Sequence, residues 1–284
     1  MIKYILFGAS FQTYYKVSKD VFLLEFGDSR SLNLFGRTRS LLSRLLEIEL
    51  RNYIYEGYLD RVSKILGIDK AYYSGNDAIA IVNGYVIHAP REYMLELLYQ
   101  LRAFFRKNLY GSPRNTHVID IGAWVGDSSI YYASLGNTVI AIEPVERYYH
   151  YLNLNVRHNN LSHKIHTLNA AYSRNRDNVL IKEDGLCSRI VDIDGVAVKA
   201  INLSILYERY NLKDPFIKID CEGCEYDLVE EILDSGLEFS GLCSEIHKIY
   251  GDSENLIEKL KSLGSCTIKI NNNDTLITCV EPRK

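Results

Sequence analysis

Residues 117–126, HVIDIGAWVG, read as a buried strand that ends on a carboxylate, turns on two glycines and opens the helical run DSSIYYASL. Glycine accepts the positive φ of such a turn and lets the backbone approach a ligand, and the helix start that follows presents free N–H groups. The spacing is not the GxGxxG of dinucleotide sites. Asp120, near the strand end, is suited to neutralise a ligand's ammonium group.

The next strand, TVIAI, leads into Glu143, 23 residues after Asp120. A carboxylate at about this distance past a glycine loop can accept hydrogen bonds from two ribose hydroxyls. An adenosine with a cationic amino-acid tail satisfies both groups, which points to S-adenosylmethionine. Beyond the pair, KIHTL, FIKID, GLCSEI, CTIKI and LITCV read as strands between helical stretches, with shorter strands at VLIKE, SRIV and VAVKA before a helix at LSILYERY. This alternation predicts an α/β fold: a Rossmann-like, seven-stranded, mostly parallel sheet with a C-terminal antiparallel hairpin, over residues 112–284.

The front of the chain has another texture. Residues 1–111 read as a smaller α+β segment: strands in IKYILF, TYYKV and VFLLEF, an amphipathic helix from Thr38 to Leu66, a hairpin of AIAIV and YVIHA about Asn83-Gly84, and a helix from Pro90 to Gly111. A lid, a substrate platform and a dimer arm all fit it, and homo-oligomerisation stays open. It holds a mild positive excess: residues 1–115 contain 16 Lys and Arg against 11 Asp and Glu, while the remainder has 17 against 25. The net charge of −3 gives no support to general nucleic-acid binding, and no apolar run has membrane-spanning length, so a cytoplasmic protein is expected.

A second polar cluster falls in FIKIDCEGCEYDLV, where Lys218, Asp220 and Glu222 share one face while the strand lasts. Such groups in an apolar strand are costly to bury unless paired, and in open α/β sheets ligands collect at the carboxyl ends of strands. GLCSEIH then puts Glu245 and His247 on one face. A histidine with its pKa near neutrality suits a general base for a hydroxyl attacking a methyl group.

The loop VIDIGAWVGDSS, the AIEP strand end, LNLNVRHNN, KIDCEGCE and SEIH together resemble, in order, the FkbM-type methyltransferases over roughly residues 116–250. The resemblance implies a class I Rossmann-like fold, S-adenosylmethionine as donor, and an oxygen of a small molecule or sugar as acceptor. It implies cofactor contacts at Asp120, Gly122, Gly126 and Glu143, with Asp220, Glu222 and His247 around the acceptor, and Ala123, Pro144 and Ala171 are further cofactor-binding candidates. Trp124 stands where the family often has Asn, and Leu203-Ser204 where it has a leucine-aspartate pair. NVRHNN also resembles tRNA guanine methyltransferases, so an RNA methyltransferase is the nearest alternative, followed by a non-catalytic S-adenosylmethionine-binding protein.

Cys221, Cys224, Cys243 and His247 spell C-x2-C-x18-C-x3-H. In an extended strand residues 243 and 247 stand ~13 Å apart, too far to share a zinc ion. A hard divalent ion on Asp220, Glu222 and Glu245 is a minor possibility, and no metal is assigned. The six cysteines read as buried thiols rather than a disulfide framework. A hairpin about residues 271–274 nevertheless sets Cys266 opposite Cys279, within bridging reach.

Overall fold

A computed structural model describes residues 14–16, 22–24, 56–270 and 274–280. Expectations for residues 1–13, 17–21 and 25–55, including IKYILF and most of the helix from Thr38, lie outside the described residues. Strands β1 (Tyr14–Lys16) and β2 (Phe22–Leu24) pair antiparallel. Helix α1 (Glu56–Leu66) ends at Gly67, where φ is +75°. Strands β3 (Lys70–Ser74), β4 (Asp77–Val82) and β5 (Tyr85–Pro90) form an antiparallel meander, with β4 and β5 joined through Asn83-Gly84. Strand β3 was not anticipated. Its two tyrosines are only half-buried, so its alternation is weak.

After a 3-10 turn at Arg91–Tyr93, α2 (Met94–Phe105) stops short of the expected Gly111. The guanidinium of Arg106 reaches back to the Gly67 carbonyl, Asn83 Oδ1 and Asp69, partners distant in sequence.

The rest is the expected alternation: β6 (His117–Ile121), α3 (Asp127–Ser134), β7 (Thr138–Ile142), α4 (Glu146–His158), β8 (Ile165–Leu168), β9 (Ala171–Tyr172), β10 (Asn178–Lys182), β11 (Arg189–Val191), β12 (Val196–Ile201), α5 (Leu203–Tyr210), β13 (Phe216–Ile219), α6 (Glu225–Ser235), β14 (Gly241–His247), α7 (Ser253–Leu263), β15 (Ser265–Ile270) and β16 (Asp274–Val280). The main sheet runs β15-β16-β14-β13-β6-β7-β8. Five strands, β14 through β8, are mutually parallel, and β16 runs against β14. Strands β9 to β12 form a separate small sheet.

Parallel strands covered on both faces carry apolar residues on both. Along β6, Val118 belongs to one buried cluster with α2, α3 and α4, while Ile119 belongs to another with α5, α6 and α7. The first cluster extends through Leu59, Ile87 and Leu97, so the front segment and the sheet share a core.

The NVRHNN asparagines explain part of that union. Asn155 Oδ1 accepts from His88 N and its Nδ2 donates to His88 O, both at 2.8 Å, and Asn159 makes the same pair with Val86 at 2.8 and 2.7 Å. One face of α4 thereby satisfies edge groups of β5.

Candidate active site

A cavity of about 970 Å³ opens at the carboxyl ends of β6, β7, β13 and β14. Its floor is the glycine loop. Gly122 has φ +76°, and a Cβ there would fall 1.7 Å from the carbonyl oxygen of Asp220. The N–H groups of Gly122 and Ala123 donate to Ile142 O at 3.1 and 3.0 Å. Glu143 fastens the same turn, accepting from Trp124 N (2.9 Å) and Val145 N (2.8 Å) on its two oxygens. Burial pushes the Glu143 carboxyl up to about 8, against the downward pull of those two donors.

Of the residues expected at the cofactor, Gly122, Glu143, Pro144 and Ala171 line the cavity. Ala123 is fully buried away from it, and Gly126 packs on α4, where an added Cβ would stand 2.6 Å from Leu152 Cδ1. Asp120, expected at the ligand's ammonium group, does not line the cavity. Its side chain is fully buried beneath the loop, its Oδ2 accepts from the hydroxyls of Ser128 and Ser129, both at 2.6 Å, and Oδ1 lies 3.2 Å from Lys218 Nζ. The first turn of α3 folds two hydroxyls back over the strand end and screens it from the cavity.

Lys218 donates to Gly122 O at 2.7 Å and lies 3.7 Å from Asp220 Oδ2. Burial opposes its charge, but the carboxylates of Asp120, Asp220 and Asp127 outweigh that and hold it as an ammonium. Asp127 was missed in the sequence. Only 3% exposed, it lines the cavity at the start of α3, and burial pushes its carboxyl up to about 7. The visible signal was DSS, three polar residues beginning a buried helix.

Across the cavity stand Asp220, Glu222, Glu245 and His247. The His247 ring reaches three carboxylates: Nδ1 is 3.2 Å from Glu225 Oε1, and Nε2 is 3.4 Å from Glu222 Oε1 and 3.9 Å from Asp220 Oδ1. Burial lowers its pKa, yet the Glu225 hydrogen bond and the charges of Asp220, Glu225 and Glu222 raise it to about 10. That raised pKa weighs against the general-base role expected of His247. Glu222 takes a left-handed backbone at φ +54°, and its carboxyl is raised by burial while His247 pulls it down. Tyr250 OH donates to Glu222 Oε2 at 3.2 Å.

The front segment also reaches the site. Glu96, Gln100 and Phe104, four residues apart on one face of α2, line the cavity, and Tyr110 OH donates to Glu245 Oε2 at 2.7 Å. Trp124, at φ +46°, meets Tyr93 and Tyr148 edge-on at 6.0 and 6.4 Å, and its buried Nε1 has no hydrogen-bond partner among the described residues. Ser204 instead bonds Glu231 at the start of α5 and does not line the cavity, so the Leu203-Ser204 departure leaves it untouched.

The cysteines depart from the all-thiol expectation. Cys221 and Cys224 form a disulfide with Cα atoms 5.5 Å apart, closing the turn that carries Glu222. Cys266 is also disulfide-bonded, and the strand register sets it opposite Cys279, Thr267 opposite Thr278 and Ile268 opposite Ile277, as the hairpin reading expected. Cys187 and Cys243 remain thiols. Among the described residues no group of three or more His, Cys, Asp or Glu side chains is arranged to hold a metal ion, and no helix is long and apolar enough to cross a membrane.

The residues fit S-adenosylmethionine. A loop where a side chain would collide, an indole N–H without a partner among the described residues, and the buried carboxyls of Asp127 and Glu143 on the cavity wall suit an adenosine with a cationic tail. The sequence matches the family model described as the methyltransferase FkbM domain over residues 120–277. No curated protein matches it. Similar solved structures include a TYW2 from M. jannaschii in complex with AdoMet (12% identity, 74% of this chain and 88% of that chain, TM-score 0.44). A SAM-dependent methyltransferase from Agrobacterium tumefaciens (11%, 75% and 72%, 0.43) and the M. jannaschii tRNA m1G37 methyltransferase (14%, 76% and 60%, 0.42) are similarly distant. The family match spans more than half of the chain, so this protein belongs to the FkbM methyltransferase family and is a methyltransferase that takes its methyl group from S-adenosylmethionine.

Proposed function

We propose that the chain methylates a hydroxyl oxygen of a small molecule or saccharide, with the Asp220 and Glu222 carboxylates removing the acceptor's proton. The observation that supports this most is the position of His247, its ring nitrogens 3.2 Å from Glu225, 3.4 Å from Glu222 and 3.9 Å from Asp220. The charge of His247 lowers the Glu222 carboxyl against the burial that raises it, which favours a carboxylate rather than the histidine as the base. The bound donor supplies a methyl group on a sulfonium. The acceptor oxygen forms the new C–O bond as the C–S bond breaks, and its proton passes to a carboxylate of the pair. Alignment is the larger contribution in such a displacement, and a positioned carboxylate adds about 10²–10⁴-fold.

Residues 112–284 serve in this reading as the cofactor domain, and the front segment contributes the acceptor wall through Glu96, Gln100 and Phe104. Carboxylates on that wall suit the hydroxyls of a neutral acceptor better than the phosphates of RNA. The NVRHNN asparagines join α4 to β5 and lend the RNA alternative no support.

The test is transfer of labelled methyl from S-adenosylmethionine to panels of polyhydroxylated small molecules and to transfer RNA. The reading expects product from the first panel, with Asp220→Asn plus Glu222→Gln losing at least about 100-fold in turnover while S-adenosylhomocysteine still binds. Product from RNA alone, or wild-type turnover in the double variant, overturns it.

A further inference from the structure

Resting on S-adenosylmethionine as the donor, we propose that Asp127, and not Asp120, is the carboxylate that binds the ammonium of the donor's methionine moiety. Asp120 is screened: two serine hydroxyls fill Oδ2, Oδ1 is buried 3.2 Å from Lys218 without a hydrogen bond among the described residues, and Asp120 does not line the cavity. Asp127 follows Gly126 directly, and its side chain belongs to the cavity wall together with Gly122, Trp124 and Ser128.

The charges around it are out of balance. Four carboxyl groups, Asp120, Asp127, Glu143 and Asp220, gather about one buried cation, Lys218. Its ammonium lies within 4 Å of Asp120 and Asp220, and among the described residues no Lys, Arg or His stands that close to Asp127. A buried carboxylate without an adjacent counter-ion is costly, and an entering ammonium removes that cost where the ligand is held. Burial raises the Asp127 carboxyl, and the more distant Lys218 and the backbone N–H groups of Asp127 and Ser128 offset that only in part. Glu143, fixed by two backbone N–H groups at the end of β7, remains for the ribose.

The division of labour separates two ligands. S-adenosylhomocysteine and its analogue lacking the amino group share the nucleoside, so only the first should sense Asp127. Calorimetric titration of wild type should show S-adenosylhomocysteine binding about 10- to 100-fold more tightly than the desamino analogue. In Asp127→Asn that preference should disappear through loss of S-adenosylhomocysteine affinity, with the analogue bound as before. The wild-type preference should also shrink below pH 7 as Asp127 takes up a proton. The charged groups acting on it are Lys218 on β13 and Asp120 on β6, and Glu143, which follows β7 and also titrates, serves both ligands and cancels in the ratio. A variant that keeps the preference, or weakens both ligands equally, overturns the assignment. A wild-type protein that binds neither ligand refutes the donor site itself.

Discussion

The carbonyl oxygen of Asp220 stands 1.7 Å from where a Cβ on Gly122 would lie. The loop that floors the cavity and the strand end that leads into Asp220 and Glu222 thus touch backbone to backbone, and Lys218 ties them again through Gly122 O. Gly122→Ala should therefore lower the melting temperature far more than Gly75→Ala, which also has positive φ (+57°) but nothing within 4 Å of the added carbon. The conformational strain alone costs about 1 kcal/mol at either site. Equal losses in paired thermal melts would contradict the close approach.

His247 carries the pH prediction. Its folded pKa of about 10 exceeds the ordinary 6.5, so the folded protein keeps a proton that the unfolded chain releases. That stabilisation is complete below pH 6.5 and declines as pH rises through 10. Wild type should lose stability over this window more steeply than His247→Gln. The upward shifts of Asp127 and Glu143 act in the same direction and are common to both proteins. Ring-carbon NMR shifts should report an imidazolium at pH 8, and a neutral ring there would refute the raised pKa.

Asn155 is fully buried and serves His88 N, His88 O and Val125 O. Asn155→Ala leaves those groups without partners and should cost about 3 kcal/mol in denaturant melts. Arg157→Ala, an exposed control on the same helix, should cost under about 0.5 kcal/mol. Similar costs for the two variants would mean that α4 is not what holds the front segment.

Alkylation under denaturing, non-reducing conditions should label Cys187 and Cys243 and spare Cys221, Cys224 and Cys266 until a reductant is added. Disulfides persist mainly in oxidising compartments or in hyperthermophiles, so the bonded set bears directly on the protein's environment. Labelling of Cys221 and Cys224 without reduction would remove the closure of the Glu222 turn.

The parallel strands, the 266–279 register and the gathering of Asp220, Glu222 and His247 on one cavity were legible because each depends on local pattern. Alternation, turn length and strand-end polarity all leave a mark within ten residues. Asp120 and His247 were harder, because their roles depend on neighbours brought from elsewhere in the chain. Ser128 and Ser129 screen the first, and Glu222 and Glu225 charge the second. Helix α2 ended early for the same kind of reason, since Arg106 finds its partners near residues 67–83. The contribution of α2 to the cavity wall had no signature either: Glu96 and Gln100 on an amphipathic helix look like any solvated face.

Calorimetric titration of the purified protein with S-adenosylhomocysteine, in parallel with Glu143→Ala, tests the central claim most directly. The account predicts one site per chain, a melting temperature that rises with ligand concentration, and at least about tenfold weaker binding in the variant, which lacks the carboxylate proposed for the ribose. A wild-type protein that gives neither binding heat nor a thermal shift would contradict it.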